Sequence, residues 1–265
     1  MTSTSGSPTP SPRRVAYVLN NRAEAALPRL RAAAEAASVE LVEPDGDADL
    51  AIVLGGDGTM LRAFQLFLGR NVPVIGVNYG KFGFLSSMQP HELYDGMRRA
   101  FAGDYIVIEL PTLEYESDGM RGVAVNDVVA TTAELGRMVE LEWAVGGEPL
   151  GEIGCDAIIV ATPSGSTAYN LSAGGPVLMW GIDAMTASFV APHTLVARPL
   201  VVPRGRDVVV TNRTLSVPLA LIADGQQVGE IAADSSVSVR LGEQRSLLAT
   251  LPDATFLTRF RSAFA

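Results

Sequence analysis

Residues 50 to 62 leave the chain the least freedom: Leu50-Ala51-Ile52-Val53-Leu54-Gly55-Gly56-Asp57-Gly58-Thr59-Met60-Leu61-Arg62. An unbroken apolar run suited to a buried parallel strand passes into a glycine turn, and Met60, Leu61, Phe64, Phe67 and Leu68 then recur at helical spacing. The pattern predicts strand, tight loop and helix start. In open α/β sheets ligands bind beyond the carboxyl ends of parallel strands, and a helix N-terminus there attracts phosphate oxygens. Glycines let backbone N–H groups approach such a ligand with no Cβ in the way.

Asp57 is the charge in that loop. A carboxylate repels a phosphate unless a cation or a sugar hydroxyl stands between, so it needs a role beyond turn-making; an Asx turn or a helix N-cap is the structural alternative. Two familiar nucleotide signatures are missing. No G-x-x-x-x-G-K-S/T occurs, since Phe82 follows Lys81 and Ile75 holds the place of the first glycine, and no G-x-G-x-x-G occurs either.

Four ordered motifs carry a resemblance. Gly55-Gly56-Asp57-Gly58-Thr59 resembles the GGDGT signature of NAD kinases, which diacylglycerol and sphingosine lipid kinases and phosphofructokinases share in looser form. Asn78 to Leu85 resembles that family's N-x-G-x-x-G-F-L segment, and Asn126-Asp127 its Asn-Glu/Asp pair. Thr162 to Pro176 is similar to its long glycine-rich block. The matches span residues 50 to 226, and they imply an NAD kinase that forms NADP by phosphorylating the 2′-hydroxyl of the adenosine ribose of NAD.

The chain has 265 residues, 48% of them hydrophobic, enough for one large domain or two modest ones. Its 20 basic residues face 29 acidic ones, a net charge of −9, without the basic cluster that nucleic-acid binding demands. The lone Cys155 fits a reducing compartment. Residues 1–12 read as a disordered tail with no apolar signal segment, and no apolar run reaches a membrane span. A cytoplasmic protein with no nucleic-acid or membrane partner is expected.

From Arg13 short strands (Val15 to Leu19, Val39 to Val42, Val72 to Val77) alternate with helical stretches (Glu24 to Ala37, His91 to Phe101). That order predicts an α/β fold with an N-terminal doubly wound parallel-sheet domain. Residues 105–247 show short β-branched runs between turns, including Gly122 to Val129, and predict a β-rich C-terminal domain. Ala254 to Phe264 regains helical spacing. By resemblance the chain end returns to the first domain, giving 13–104 with 248–265 as one domain and 105–247 as the NAD-binding and oligomerisation domain. A homodimer or homotetramer is implied in the same way.

Phosphoryl transfer asks a protein mainly to position donor and acceptor, with a carboxylate beside the attacking hydroxyl. Asp57 is the candidate catalytic residue, and Gly55, Gly56, Gly58 and Thr59 form the candidate phosphate-donor loop, for ATP or polyphosphate. Asn126 and Asp127 interrupt an apolar run, where adjacent side chains point to opposite faces, although such a pair also marks turns. The resemblance assigns them to the adenosine part of NAD, with Asp127 one methylene shorter than the commoner glutamate. It also implies NAD contacts at Asp57, Gly58, Arg62, Arg137, Thr167, Ala168, Tyr169, Asn170, Leu171, Ser172, Ala191 and Gln226. Asp156 matches an aspartate often supplied by a neighbouring subunit, with Ala157 in place of a glycine and Gly154 in place of a basic residue. Ser166 lacks a G-x-S-x-G setting, so hydrolase chemistry is disfavoured. His193 has no acidic or cysteine neighbour at ligand spacing, and His91-Glu92 is not H-E-x-x-H because Asp95 holds the fifth place; the metal expected is Mg²⁺ held mainly by donor phosphates. The alternatives are a lipid or other small-molecule kinase of the superfamily, or a non-catalytic nucleotide-binding regulator.

Overall fold

The structure, a computed structural model, describes residues 10–81, 83–132, 137–215 and 217–264. Most of the expected tail, residues 1–9, lies outside them, as do Phe82 of the Asn78 to Leu85 segment and Ala265 of the last helix. The chain divides into two compact units, Met1–Leu110 with Ser246–Ala265, and Pro111–Arg245. Among the described residues no helix is long and apolar enough to cross a membrane.

In the first unit β1 (Arg14–Leu19), α1 (Leu27–Ala36), β2 (Glu40–Val42), β3 (Leu50–Gly55), α2 (Asp57–Phe67), β4 (Val74–Asn78) and α3 (Leu93–Phe101) follow in order. The strands pair in parallel as β2-β1-β3-β4. β3 is buried along its whole length between β1 and β4, which is why its sequence is uniformly apolar instead of alternating. Leu50, Ile52 and Leu54 face a core shared with Leu30 of α1 and Met97 of α3. Gly76 of β4 points the other way, where a methyl would overlap Met60 of α2. Helices therefore cover both faces, the doubly wound arrangement expected from the alternating pattern.

The second unit begins within β5 (Ile106–Ser117) and continues through β6 (Met120–Ala124), β7 (Asp127–Thr132), β8 (Val139–Val145), β9 (Glu148–Cys155) and β10 (Ala157–Ala161). After α4 (Tyr169–Ser172) come β11 (Ala184–Val190), β12 (Leu200–Pro203), β13 (Val208–Asn212), β14 (Leu219–Ala223), β15 (Gln226–Ile231) and β16 (Ser236–Thr250). Six strands form an antiparallel sheet in the order β12-β11-β10-β7-β14-β15. β16, β13, β8 and β9 form a second antiparallel ladder. Trp143 of β8 meets Phe189 of β11 edge-on, with centroids 5.1 Å apart, within the apolar core between the two layers. The chain then closes the first unit with α5 (Phe256–Phe264).

Several expectations shift. The helix expected from Glu24 opens instead as a 3₁₀ turn, Asn21–Ala26, before the α-helix that has Pro28 in its first turn, where proline is tolerated. The helix expected from His91 likewise opens with a 3₁₀ turn, Pro90–Glu92. The run expected from Gly122 to Val129 breaks at Val125 and Asn126 into β6 and β7. α2 stops at Phe67, one residue short of Leu68.

Candidate functional site

The glycine turn is shorter than its sequence suggests. β3 runs through Gly55, Gly56 is the N-cap of α2, and Asp57 is already the first helical residue. Asp57 is thus not the cap, and its side chain turns to the loop after β4. Its Oδ2 accepts the N–H of Phe84 at 2.9 Å and its Oδ1 that of Leu85 at 3.0 Å. A carboxylate has about four acceptor sites, so lone pairs remain for a further donor. Burial raises the Asp57 carboxyl above its ordinary range, against the Leu85 and Phe84 N–H groups and the charge of Arg259. The result is a fixed, partly desolvated carboxylate of raised basicity.

Beside it a cleft of about 370 Å³ is lined by Asn20, Arg22, Gly56, Gly58, Arg62 and Gly80, among others. Thr59, itself largely buried, also lines it and closes the first turn by donating its N–H to Gly56 O. Arg62 is exposed, and its Nη2 donates to Leu19 O at 3.0 Å. Asn78 Oδ1 accepts the Gly80 N–H at 2.9 Å, an Asx turn that shapes the opposite wall. Glycine, two guanidinium groups and the free N–H groups of a helix start suit a phosphate chain. Another cleft, of about 310 Å³ in the second unit, carries Glu114, Arg121 and Arg240 and none of the motif residues.

In the second unit Asn126 and Asp127 lie where β6 gives way to β7. The glycine-rich block folds onto this turn: Thr162 N–H and Oγ1 donate to Asn126 O and Val125 O, and Ser164 Oγ donates to Asn126 Oδ1 at 2.9 Å. Gly165 passes so close that a methyl there would overlap the Asn126 carbonyl. Asp127 is 7% exposed. Burial, with Asp224 adding to it, raises its carboxyl to about 7.

The block from Thr167 to Ser172 presents a mixed surface. Tyr169 is 45% exposed, and Thr167, Ala168 and Leu171 are half-buried. Asn170 is fully buried: its amide donates to Ser166 O and Pro176 O while its carbonyl oxygen accepts from Ser188 Oγ. It holds the block together from inside. Ser166 is buried too, its hydroxyl donating to Pro163 O and accepting the Leu178 N–H, which leaves no nucleophile there.

Arg137, Asp156, Ala191 and Gln226 are exposed at strand ends of this unit. Ala191 has φ +44°, an uncommon left-handed alanine at the end of β11. Gln226 opens β15 after a two-residue turn whose Asp224 and Gly225 both have positive φ, +50° and +78°. That is the type I′ hairpin for which Asp-Gly is the sequence signal.

Three participants escaped the sequence reading. Ser164 has no signal beyond its place in a glycine-rich block, and Arg259 has none within the helical spacing of Ala254 to Phe264. Asp224 did have a signal, the Asp-Gly hairpin pair.

Profiles of the ATP-NAD kinase N-terminal domain and the ATP-NAD kinase C-terminal domain match residues 11–105 and 125–251. The chain is 39% identical to an NAD kinase of Gemmatimonas aurantiaca over 230 residues, covering 84% of this chain and 79% of that one. It is 36% identical to an NAD kinase of Thermobifida fusca over 242 residues, 86% of this chain and 74% of that one. A crystal structure of an NAD kinase from Archaeoglobus fulgidus in complex with ATP superposes with a TM-score of 0.79 at 26% identity, covering 95% of this chain and 97% of that one. The yeast NADH kinase complexed with NADH superposes at 0.82 over 98% of this chain and 89% of that one; at 20% identity it speaks for the fold alone.

Proposed function

The chain belongs to the NAD kinase family, and we propose that it transfers a phosphoryl group from ATP to the 2′-hydroxyl of the adenosine ribose of NAD, giving NADP. The observation that carries this reading is the Asp57 carboxylate, fixed by the Phe84 and Leu85 N–H groups beside a cleft furnished for phosphate.

In this reading the 2′-hydroxyl donates a hydrogen bond to Asp57, which orients one oxygen lone pair toward the terminal phosphorus. The new O–P bond forms as the bond from that phosphorus to the bridging oxygen of the leaving nucleotide breaks, and the hydroxyl proton passes to Asp57. A carboxyl raised by burial is a better acceptor for that proton than a solvated one, and the two N–H donors keep it charged until then. The glycine loop and the start of α2 hold the donor phosphates, with Arg22 and Arg62 at the cleft wall. In the second unit Asn126 and Asp127 take the adenosine, and Tyr169 supplies a ring and a hydroxyl.

Among the described residues no three of His, Cys, Asp and Glu come together as a cage. The one loop carboxylate already accepts two N–H groups, so the residues fit a Mg²⁺ that arrives on the donor phosphates. Such an ion supplies charge neutralisation between the phosphates when bound. The Archaeoglobus fulgidus relative in complex with ATP supports ATP as donor. In the same reading Asp156, exposed at a strand end, serves the NAD site of a neighbouring copy in a homodimer or homotetramer.

The test is an incubation of purified protein with NAD, ATP and Mg²⁺, read by an NADP-specific dehydrogenase, with one parallel arm that replaces ATP by polyphosphate and another that replaces NAD by diacylglycerol and is read as phosphorylated lipid. NADP in the ATP arm supports the proposal. Product only from polyphosphate reassigns the donor, product only from diacylglycerol reassigns the acceptor, and no product in any arm supports a silent nucleotide-binding regulator.

A further inference from the structure

Arg259 of α5 is 7% exposed, unusual for an arginine. Its Nε donates to Ala254 O at 3.1 Å, and Nη1 donates to Phe84 O at 3.0 Å and Ser86 O at 2.6 Å. Nη2 donates to Ser87 Oγ and Thr250 Oγ1. A guanidinium has five N–H groups, so each finds an acceptor. Burying a cation is costly unless its hydrogen bonds are replaced, so a fully satisfied one marks a place where a fixed charge and a fixed fork are wanted.

What the fork holds is the segment that holds Asp57. Phe84 donates its N–H to Asp57 and gives its carbonyl to Arg259, and the next N–H, of Leu85, also goes to Asp57. The Phe84 ring packs edge-on against Phe256 at 5.2 Å and lies 6.2 Å from Phe264, both on the helix that carries Arg259. Phe84 is gripped by α5 through its ring and its carbonyl while its N–H points at the carboxylate. Hydrogen bonds chained through one peptide also polarise one another.

We propose that Arg259 is a positioning residue for Asp57, acting through the Phe84 to Ser87 segment to fix the direction of the attacking hydroxyl's acceptor. This rests on the reading of Asp57 as the base. Burial lowers the Arg259 guanidinium to about 10, against the charge of Asp57, so it remains a cation at neutral pH. Arg62, farther along α2, is engaged with Leu19 O instead.

R259K keeps the charge but loses the fork, and cannot reach every acceptor. In the full chain it is expected to lower kcat about tenfold while KM for NAD and for ATP stays within about twofold, since misaligning a catalytic group affects the transition state and not ground-state binding. Turnover within about twofold of wild type in folded R259K overturns the proposal, as does a loss carried by KM. A second measurement needs no variant that might misfold. In wild-type protein the Phe84 and Leu85 amides should exchange with solvent at the rate of the α5 amides, and exchange about tenfold faster than α5 overturns the proposal. D57N run alongside separates the two readings. An active D57N removes the base and this inference with it; an inactive D57N beside a fully active R259K removes this inference alone.

Discussion

The Asn126 N–H donates to Asp224 Oδ1 at 2.7 Å across 98 residues of sequence. The same carboxylate accepts the Val125 N–H on Oδ2 at 2.8 Å and the Asp127 N–H on Oδ1 at 3.2 Å. Three successive N–H groups converge on one side chain, which the type I′ turn brings into place with Asp224 at φ +50°. The break between β6 and β7 exists because those donors leave the strand ladder for Asp224.

D224A removes the acceptor from three adjacent N–H groups at once. Leaving such donors unmet costs on the order of 1–3 kcal/mol, so the melting temperature should fall. With the Asn126 turn loosened, KM for NAD should rise about tenfold with a smaller change in kcat, and D224N, which keeps one oxygen, should fall between. Calorimetry and steady-state kinetics check both. An unchanged KM in D224A would show that the turn is held by the glycine-rich block alone.

D57N keeps the shape of the side chain and removes its capacity to take a proton. Loss of a general base is expected to lower kcat by about 10²–10⁴, with NAD affinity by calorimetric titration changed only a few-fold. Near-normal turnover by D57N would leave the hydroxyl to be deprotonated elsewhere.

Asp127 gives stability a pH dependence of definite sign. Its carboxyl is raised from 3.8 to about 7 in the folded protein, so the native state holds this proton more tightly than the unfolded chain does. Between about pH 4 and about pH 7 the native state therefore loses stability as pH rises. Asp57, also raised, acts in the same direction. Asp49, Glu114 and Asp183 are lowered instead, and their contribution is lost only as pH falls below the ordinary carboxylate range. D127N should flatten the decline in melting temperature measured from about pH 5 to about pH 8. Parallel curves for the two proteins would contradict it.

The layers were legible where burial is two-sided. Leu50 to Leu54 announced a central parallel strand, and Ala157 to Ala161 a strand of the β-rich domain, because each is apolar throughout and bounded by turn residues; that the second pairs antiparallel on both sides is visible only in the structure. β9 and β15 were not legible, since their side chains lie mostly in solvent and leave no alternation to read. β11 was hidden by composition: it is buried, yet Thr186, Ala187 and Ser188 do not look like a core strand. At the site, what a motif spells in consecutive residues could be read, as with Gly55 to Thr59. Supports from afar could not. Asp224 reaches Val125 to Asp127, and Arg259 reaches Phe84 and Ser86, across separations of 97 residues or more that no local pattern encodes.

Gly58 offers a test of the donor loop that is separable from folding. It lies exposed in the first turn of α2, outside the left-handed region, and a methyl built there meets nothing within 4 Å. G58A should therefore fold, with a stability gain of up to about 1 kcal/mol from helix propensity. Gly55 is the contrast, because a methyl there would overlap the Thr59 side chain, and G55A should lower the melting temperature. If donor phosphates approach the N–H groups of this turn, the G58A methyl stands in their way and KM for ATP should rise about tenfold while KM for NAD moves little. A stabilised G58A with unaltered KM for ATP would move the donor site away from the start of α2.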